Sequence, residues 1–353
     1  MYNLEDKSYQ KRPKTMSEKT SQAYFRKLNQ HVIDNKINLI VVILHGGEPL
    51  LVKKEYLDSW ATQLFTTMNQ NCTVLLRLQT NGILLDNEWI NILYKHNIRI
   101  GVSLDGPREF NDKFRVTKSG KGTFDSVKSG LDTLLNHPHG NDVFGAILSV
   151  ANPHIPPHEM WKFWIETGFT RFDFNLPHCT YENKPWFSID ELSDWMISLF
   201  EIWWNFNNPA YEIRFFKNII NLILGSSFST DYIGGKPGGI VVIETDGSIQ
   251  GTDALRACEN EMTNLNMNIF DNELNDALNI PLVKLSNHSS SQLAPKCLSC
   301  RVKSVCGGGY LAHRFSKENK FNNPSVYCDA LYNLISHIRN KIISESGELF
   351  QIN

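Results

Sequence analysis

The hydrophobic and polar positions in the first half of the chain alternate between two periods. Residues 17–34, "SEKTSQAYFRKLNQHVID", open with a serine, carry a glutamate soon after it and then repeat apolar residues at helical spacing. This is the pattern of a capped helix. Residues 37–44, "INLIVVIL", are short, β-branched and almost wholly apolar, as in a strand covered on both faces. A helix followed by a buried strand is therefore predicted.

The same alternation recurs four more times along the chain. Helical patterns lead each time to a strand-like run: 54–68 to 73–79, 87–96 to 98–104, 124–136 to 143–150, and 158–168 to 171–176. Strands separated by helices form a parallel sheet with right-handed crossovers. We therefore predict an α/β fold, a partial (β/α)6 barrel of the TIM type that lacks its first strand, because the chain begins with a helix.

The pattern changes after residue 186. Residues 188–206 predict a longer helix, and one face of it collects five apolar residues, for which core packing is the favoured interpretation: Leu192, Trp195, Met196, Leu199 and Trp203. The glycine-rich stretch 233–239 marks a domain boundary, and a hairpin turning on Asp246 and Gly247 follows it. We expect a barrel domain with trailing helices over 1–232 and a second domain over 233–353.

Composition narrows the class of protein. The chain is 41% hydrophobic and 20% charged, with a net charge of −2. That balance gives no electrostatic reason to expect nucleic acid or an anionic membrane as a partner. No apolar run approaches the roughly 18–20 residues that span a bilayer, and the polar start has no secretory signal. A cytoplasmic protein is predicted, in which clustered cysteines bind metal or do redox chemistry.

Polar and glycine residues follow the predicted strands at one end, where parallel barrels place their chemistry. Paired glycines allow a ligand close to the backbone, and Glu48 is an acceptor for an amine. Ser103 and Asp105 suit hydroxyl groups, and Arg115 suits a carboxylate. The candidate rim comprises His45, Gly46, Gly47, Glu48, Pro49, Thr80, Asn81, Gly82, Ser103, Asp105, Arg115 and His178. These groups fit S-adenosylmethionine, although their chemistry alone does not single it out.

Four of the seven cysteines cluster near the C-terminus: Cys297, Cys300, Cys306 and Cys328. Their spacing leaves zinc and an iron–sulfur cluster open, because thiolates bind both. The glycines at 307–309 either aim backbone amides at cluster sulfurs or only form a tight turn. Cys72 is interpreted as a core or surface residue, and Cys258 matches no ligand position.

The segments "HGGEPLL", "QTNGILL", "GVSLDGP" and "NDKFR" resemble, in that order, the radical S-adenosylmethionine enzymes. The resemblance implies that S-adenosylmethionine binds to Gly46, Gly47, Glu48, Pro49, Asn81, Ser103, Asp105 and Arg115. The C-terminal segment resembles the SPASM region of peptide-modifying members, and "CGGGYLAHRF" is similar to maturases that install three-residue cyclophanes. It implies that the four cysteines hold an auxiliary [4Fe–4S] cluster.

The resemblance also implies a reaction and its partners. A 5′-deoxyadenosyl radical would abstract hydrogen from a Cβ of a precursor peptide, and that carbon would bond to an aromatic ring. Restoring the ring requires loss of one electron and one proton. The auxiliary cluster would accept the electron, and a separate electron donor is implied. Asp173, His178 and Tyr310 are candidates for the proton acceptor by position.

Two departures from the family pattern stand out. Thr252 and Tyr310 occupy positions where a full SPASM region has cysteines, so one auxiliary cluster is expected to be lost. The CxxxCxxC loop that binds the catalytic [4Fe–4S] cluster is absent, and Met1 falls just past its expected third cysteine. Truncation or a misplaced start of a longer enzyme, and natural loss, would each explain this; we favour truncation, because the cofactor-contacting residues remain. A non-catalytic peptide-binding relative with a structural metal is the alternative; a sulfatase-type maturase is less favoured.

Overall fold

The computed structural model describes residues 6–226, 230–234 and 238–346. Met1 and residues 235–237, the middle of the predicted glycine-rich boundary, lie outside these ranges. The chain forms two compact units. We call them the sheet unit, Lys14–Asn175 with Asn207–Arg214, and the cysteine unit, Met1–Pro13 with Leu176–Phe206 and Phe215–Asn353. The predicted domains 1–232 and 233–353 divide the chain differently and stay a prediction.

The sheet unit contains a six-stranded parallel sheet in the order β1-β2-β3-β4-β5-β6. Its strands are β1 Leu39–Leu44, β2 Thr73–Thr80, β3 Arg99–Ser103, β4 Phe144–Val150, β5 Arg171–Asn175 and β6 Glu212–Ile213. All five predicted strands are present, and the predicted α/β class is confirmed. The sixth strand was missed because two residues are too few to show a period.

Helices connect these strands. They are α1 Glu18–Asp34, α2 Lys54–Thr67, α3 Asn87–Lys95, α4 Arg108–Phe114, α5 Phe124–Asn136, α6 Gly140–Val143 and α7 Pro157–Glu166, with a 3-10 helix at Pro49–Leu51. The side chain of Ser17 accepts a hydrogen bond from the Thr20 amide, so the predicted cap of α1 is confirmed. The centre of the sheet is closely packed, with Ile100, Val102 and Ile147 fully buried.

The first strand differs from its prediction. A strand covered on both faces was expected, but Leu39, Val41 and Ile43 are 51%, 49% and 59% exposed. Successive side chains of a strand point to opposite faces, so these three share one face. β1 is the edge strand and pairs only with β2 among the described strands. The run of apolar residues was therefore a poor guide to burial here.

The cysteine unit is mainly helical. Its helices are α8 Ile189–Phe206, α9 Arg214–Ile223 (which begins at the last residue of the sheet unit), α10 Leu274–Leu278, α11 Pro281–Asn287, α12 Pro295–Leu298, α13 Lys303–Cys306 and α14 Cys328–Ser346, with 3-10 helices at Ser8–Lys11, Asp253–Ala257, Ser289–Ser291 and Leu311–Arg314. Helix α8 packs along α14, and Asn333 Nδ2 donates to Ser193 Oγ at 3.1 Å. Trp195 and Met196 are buried, which confirms core packing for this face, and Trp203 is half-buried.

A small antiparallel sheet completes the cysteine unit. It consists of β7 Val242–Ile243, β8 Ser248–Gln250 and β9 Asn264–Asn268. The chain turns from β7 to β8 through Gly247, whose φ of +83° few other residues adopt. The predicted hairpin is therefore confirmed. Among the described residues, no helix has the length and apolar character to cross a membrane.

Candidate cofactor and cluster sites

The carboxylate of Glu48 is held at the ends of two neighbouring strands in the sheet unit. Thr80 Oγ1 and the Leu50 amide donate to Glu48 Oε1 at 2.7 and 3.1 Å, and the Asn81 amide donates to Oε2 at 2.7 Å. The register of β1 on β2, which pairs Leu44 with Leu78, brings the "GGEP" loop beside the end of β2. Three donors fix the orientation of this carboxylate and leave further lone pairs for a ligand.

The glycines before Glu48 expose their backbone. Residues 45–47 are exposed, and Glu48 and Pro49 are half-buried. A Cβ built on Gly46 would meet no atom of the protein within 4 Å. Packing within the protein therefore gives no reason for a glycine at this position. An open backbone beside a fixed carboxylate suits close approach of a polar ligand.

Asp105 and Arg115 form a two-pronged ion pair after β3. Arg115 Nε lies 2.6 Å from Asp105 Oδ2, and Arg115 Nη2 lies 2.9 Å from Oδ1. The Val150 amide, at the end of β4, also donates to Asp105 Oδ1 at 3.0 Å. Asp105 is buried, at 8% exposure, and the Arg115 side chain keeps 28%. Sequence reasoning gave Arg115 a ligand carboxylate; in the structure its partner is Asp105.

Ser103 and Asn81 are also engaged in local structure. Gln79 Nε2 donates to Ser103 Oγ at 2.9 Å, which orients the hydroxyl at the end of β3. Asn81 Oδ1 accepts from the Ile83 amide at 2.9 Å and stabilises the turn after β2. The sheet unit therefore gathers the predicted residues from Gly46 to Arg115 at one end of adjacent strands.

The three proton-acceptor candidates have different surroundings. Asp173, 1% exposed, lies in the sheet unit with its Oδ2 2.5 Å from Arg214 Nε, which favours a structural ion pair over proton transfer. His178 and Tyr310 lie in the cysteine unit, with ring centroids 5.8 Å apart. Burial, and then the nearby carboxylates of Asp231 and Asp253, raise the pKa of Tyr310 well above its usual value. Tyr310 is therefore held neutral.

Sequence reasoning missed the carboxylates beside Tyr310. Asp253 directly follows Thr252, one of the two positions where a family cysteine was expected, and that adjacency was the available signal. Thr252 is buried and directly precedes the 3-10 helix Asp253–Ala257. His313 lies beside Tyr310, with ring centroids 5.3 Å apart. Burial, and then the charge of His178, lower the pKa of His313 to about 3. His313 is therefore a neutral imidazole near neutral pH.

The four clustered cysteines come together in the cysteine unit. Cys297 lies in α12, Cys306 ends α13 and Cys328 begins α14, while Cys300 lies in the turn between α12 and α13; all four are half-buried. Burial, together with the smaller effect of the charges of the other three thiols, raises the pKa of Cys306 to about 12. The thiols are thus electrostatic neighbours, although no three His, Cys, Asp or Glu side chains in the described ranges are placed to hold a single metal ion.

The glycine triplet forms a left-handed turn behind Cys306. Gly307, Gly308 and Gly309 have φ values of +62°, +88° and +69°. The Gly308 amide hydrogen-bonds toward Cys306 and lowers its pKa, against the larger effect of burial. The positive φ values support the interpretation of the triplet as a tight turn. The Gly308 amide supports the other interpretation, in which backbone amides point at cluster sulfurs, because consecutive amides in such a turn form an anion-binding concavity.

Alanine at Gly307 is expected to destabilise the cysteine unit. Its Cβ would lie 1.7 Å from the carbonyl oxygen of Gly234, and its positive φ adds strain. We expect a loss of about 1–3 kcal/mol in the free energy of unfolding. Urea denaturation followed by circular dichroism measures it. Alanine at Gly120, which has φ of +80° and open space around it, is the matched control for backbone strain alone; equal losses in both variants would refute the packing argument.

The three other cysteines are buried in packed surroundings. Cys72 is 8% exposed and Cys179 is 4% exposed. Cys258 packs with Leu255 and Phe315 in an apolar cluster, where burial raises its pKa to about 12. These environments favour inert thiols.

Comparisons with known proteins bear on both sites. No family model matches the chain. The cysteine-type anaerobic sulfatase-maturating enzyme of Clostridium novyi (strain NT) is 25% identical over 298 residues, covering 81% of this chain and 76% of that protein. Native anSMEcpe with bound AdoMet and Kp18Cys peptide matches with a TM-score of 0.81 at 22% identity, covering 94% of this chain and 91% of that chain. Streptococcus suis SuiB matches with a TM-score of 0.53 at 17% identity, covering 86% and 69%.

The structural matches show the fold, and the sequence match extends over most of both chains. The parallel six-stranded α/β arrangement is shared with anSMEcpe and SuiB. The relatives are radical S-adenosylmethionine maturases with a SPASM region, which supports the resemblance at that level. The chain is therefore a sequence relative of the anaerobic sulfatase-maturating enzymes and shares their fold.

Proposed function

We propose that this protein is a radical S-adenosylmethionine maturase of a ribosomally synthesised peptide. It joins a side-chain Cβ to an aromatic ring of the same short motif and so forms a cyclophane. The observation that carries the proposal is the presence, on one chain, of a polar rim at the strand ends and of four neighbouring thiols backed by a glycine turn. The sheet is the partial (β/α)6 barrel that this function implies, and the protein is cytoplasmic.

Different rim residues bind different polar groups of S-adenosylmethionine. Glu48 accepts from the methionine ammonium, because its oxygens are already oriented by Thr80 and Asn81. The open backbone at Gly46, Gly47 and Pro49 lines the same ligand. Ser103 and Asp105 hold the ribose or carboxylate end, and Arg115 acts mainly by fixing the Asp105 carboxylate.

The cysteine residues fit an auxiliary [4Fe–4S] cluster. Four thiols and an amide directed at Cys306 are the donor set and the sulfur hydrogen bond that such clusters use. S-adenosylmethionine, together with a catalytic cluster on a CxxxCxxC segment and an external electron donor, would supply hydrogen abstraction, and the auxiliary cluster would supply an electron acceptor. Thr252 and Tyr310 leave no thiols for a second auxiliary cluster at those positions.

The protein's own groups must take up the proton that the ring releases. Tyr310 is held protonated and Asp173 is engaged by Arg214, so both are poor acceptors. His178 remains from the predicted set. Asp231 and Asp253 join it as candidates, because both lie close enough for their charges to act on Tyr310 and a carboxylate side chain can serve as a general base.

The test uses the intact gene product, loaded anaerobically with iron, sulfide and S-adenosylmethionine. Each short peptide encoded beside its gene is incubated with it and analysed by mass spectrometry. We expect loss of two hydrogens, with fragmentation blocked between the joined residues. An unchanged mass for every such peptide, under conditions in which the enzyme cleaves S-adenosylmethionine, would refute the proposal.

Maturation of a cysteine-containing peptide is the second candidate. The observation that favours it is the likeness to anSMEcpe, whose structure holds the Kp18Cys peptide. Kp18Cys is added to the same assay as a separate substrate. Its modification without any change in the neighbouring peptides would replace the cyclophane proposal. A gene product that binds peptides but never cleaves S-adenosylmethionine would support the non-catalytic alternative.

A further inference from the structure

Arg314 is a buried cation for which the described residues provide no carboxylate partner. It is 1% exposed, at the end of the 3-10 helix Leu311–Arg314. Within the part of the chain that the structure describes, no Asp or Glu lies within ion-pair distance of its guanidinium. Burying a charge is costly unless hydrogen bonds and a counter-charge compensate it. A role for this charge must therefore be sought among its actual neighbours.

The hydrogen bonds of the guanidinium to described residues all go to backbone carbonyl groups, and these come from two segments. Nη1 donates to Ser289 at 2.7 Å and Nη2 donates to Gln292, both upstream of Cys297. Nε and Nη2 donate to Phe321 at 3.1 and 2.8 Å, and Nε donates to Asn323 at 3.2 Å, both upstream of Cys328. Arg314 thus joins the segments that lead into the first and last cysteines of the set.

The neighbouring charges are those of the thiols. Arg314 Nη1 would lie 3.5 Å from a Cβ at Gly308, in the turn directly behind Cys306. Cys297 and Cys306 are the two groups whose charge acts on the guanidinium. Four thiolates around an iron–sulfur cluster carry net negative charge, which increases on reduction. A fixed cation at this place would compensate that charge.

We propose that Arg314 is the internal counter-ion of the auxiliary cluster and raises its reduction potential, while its hydrogen bonds position the segments that carry the cysteines. The inference rests on the cluster assigned under the proposed function. A buried cation stabilises the more negative, reduced cluster, because its field is weakly screened by solvent. Arg314 is a positioning residue, since it acts on the electron acceptor rather than on the substrate.

The test compares midpoint potentials in the full-length chain, by redox titration followed by electron paramagnetic resonance. Arg314→Gln removes the charge and most of the hydrogen bonds, so we expect a lower midpoint potential and a lower unfolding midpoint. Arg314→Lys keeps the charge but not the five bonds. We expect it to retain a near wild-type potential with a lower unfolding midpoint.

Lys296→Gln is the matched control. Lys296 precedes Cys297, but its side chain is 64% exposed and paired with Asp329 at 3.1 Å, so solvent screens it. Its loss is expected to shift the potential less than Arg314→Gln does. If Arg314→Gln loses the cluster altogether, the potential of Arg314→Lys becomes the test. A potential of Arg314→Lys well below that of the wild type would show that the charge of residue 314 does not set the cluster potential.

The outcomes separate this inference from the proposed function. A wild-type chain that takes up iron and sulfide, with equal potentials in the wild type and Arg314→Gln, overturns the role of Arg314 and leaves the cluster in place. A wild-type chain that binds no cluster overturns both. A lowered potential in Arg314→Gln supports the inference even if no peptide becomes cross-linked.

Discussion

Serine in place of Cys306 is expected to remove the iron–sulfur cluster from the protein. The wild-type chain, purified anaerobically, should contain about four iron and four sulfide per chain, and the variant less than about one of each. The reason is that Cys306 belongs to the set of four thiols, since the charges of Cys297, Cys300 and Cys328 all act on it. A serine hydroxyl is a much harder ligand and a poor replacement for a thiolate. Iron and acid-labile sulfide analysis measures the loss.

Cys72→Ser is the matched control for this prediction. Cys72 is a buried thiol outside the set of four; it donates to the Thr73 carbonyl, a bond that a hydroxyl can also make, and has a backbone hydrogen bond with Ile40. Its iron and sulfide content should equal that of the wild type. About one zinc and no sulfide in the wild-type chain would instead support a structural metal centre. That result would leave the maturase proposal dependent on the rim alone.

Glutamine in place of Glu48 is expected to weaken S-adenosylmethionine binding by about 10- to 150-fold. A hydrogen bond to a charged group contributes about 1.5–3 kcal/mol, and every 1.4 kcal/mol is a tenfold change in affinity. Glutamine also places an amide donor against either the Asn81 amide or the Thr80 hydroxyl, which now donate to the carboxylate. Isothermal titration calorimetry of the chain with S-adenosylmethionine measures the change.

The control for Glu48 is Glu55→Gln in the first turn of α2. Glu55 is exposed and in the same unit, so the substitution removes an equal charge without touching the rim. Its affinity should match that of the wild type. Equal weakening in both variants would point to a general charge effect. If the Glu48→Gln protein folds correctly and binds S-adenosylmethionine with wild-type affinity, Glu48 does not bind the methionine ammonium.

Local patterns in the sequence were enough for most elements of the fold. The five longer strands of the parallel sheet, the cap at Ser17 and the hairpin at Gly247 all depend on residues close together in the chain. The sequence also predicted the end of the sheet at which polar residues gather, because the carboxyl ends of parallel strands lie at the same edge. Sequence resemblance supplied the expectation of S-adenosylmethionine, and the structurally similar anSMEcpe was solved with AdoMet bound.

The partners of the polar groups were decided by the tertiary structure. Register between strands brings Thr80 to Glu48, and the end of α4 brings Arg115 to Asp105, so a predicted ligand clamp is engaged within the protein. The exposure of Leu39, Val41 and Ile43 on one face of β1 likewise depends on what packs over that face.

The glycine triplet and Arg314 show most clearly that contacts between distant segments cannot be predicted from local sequence. Spacing left the role of Gly307 open, and the close approach of Gly234 decided that a side chain cannot fit there. Nothing in the sequence around Arg314 distinguishes it from a surface arginine. The sequence by itself determined the five longer strands of the parallel sheet, the cap at Ser17 and the thiol set, since these depend on neighbouring residues. Only the tertiary structure decided which charges are buried and what compensates them, because burial depends on segments far apart in the chain.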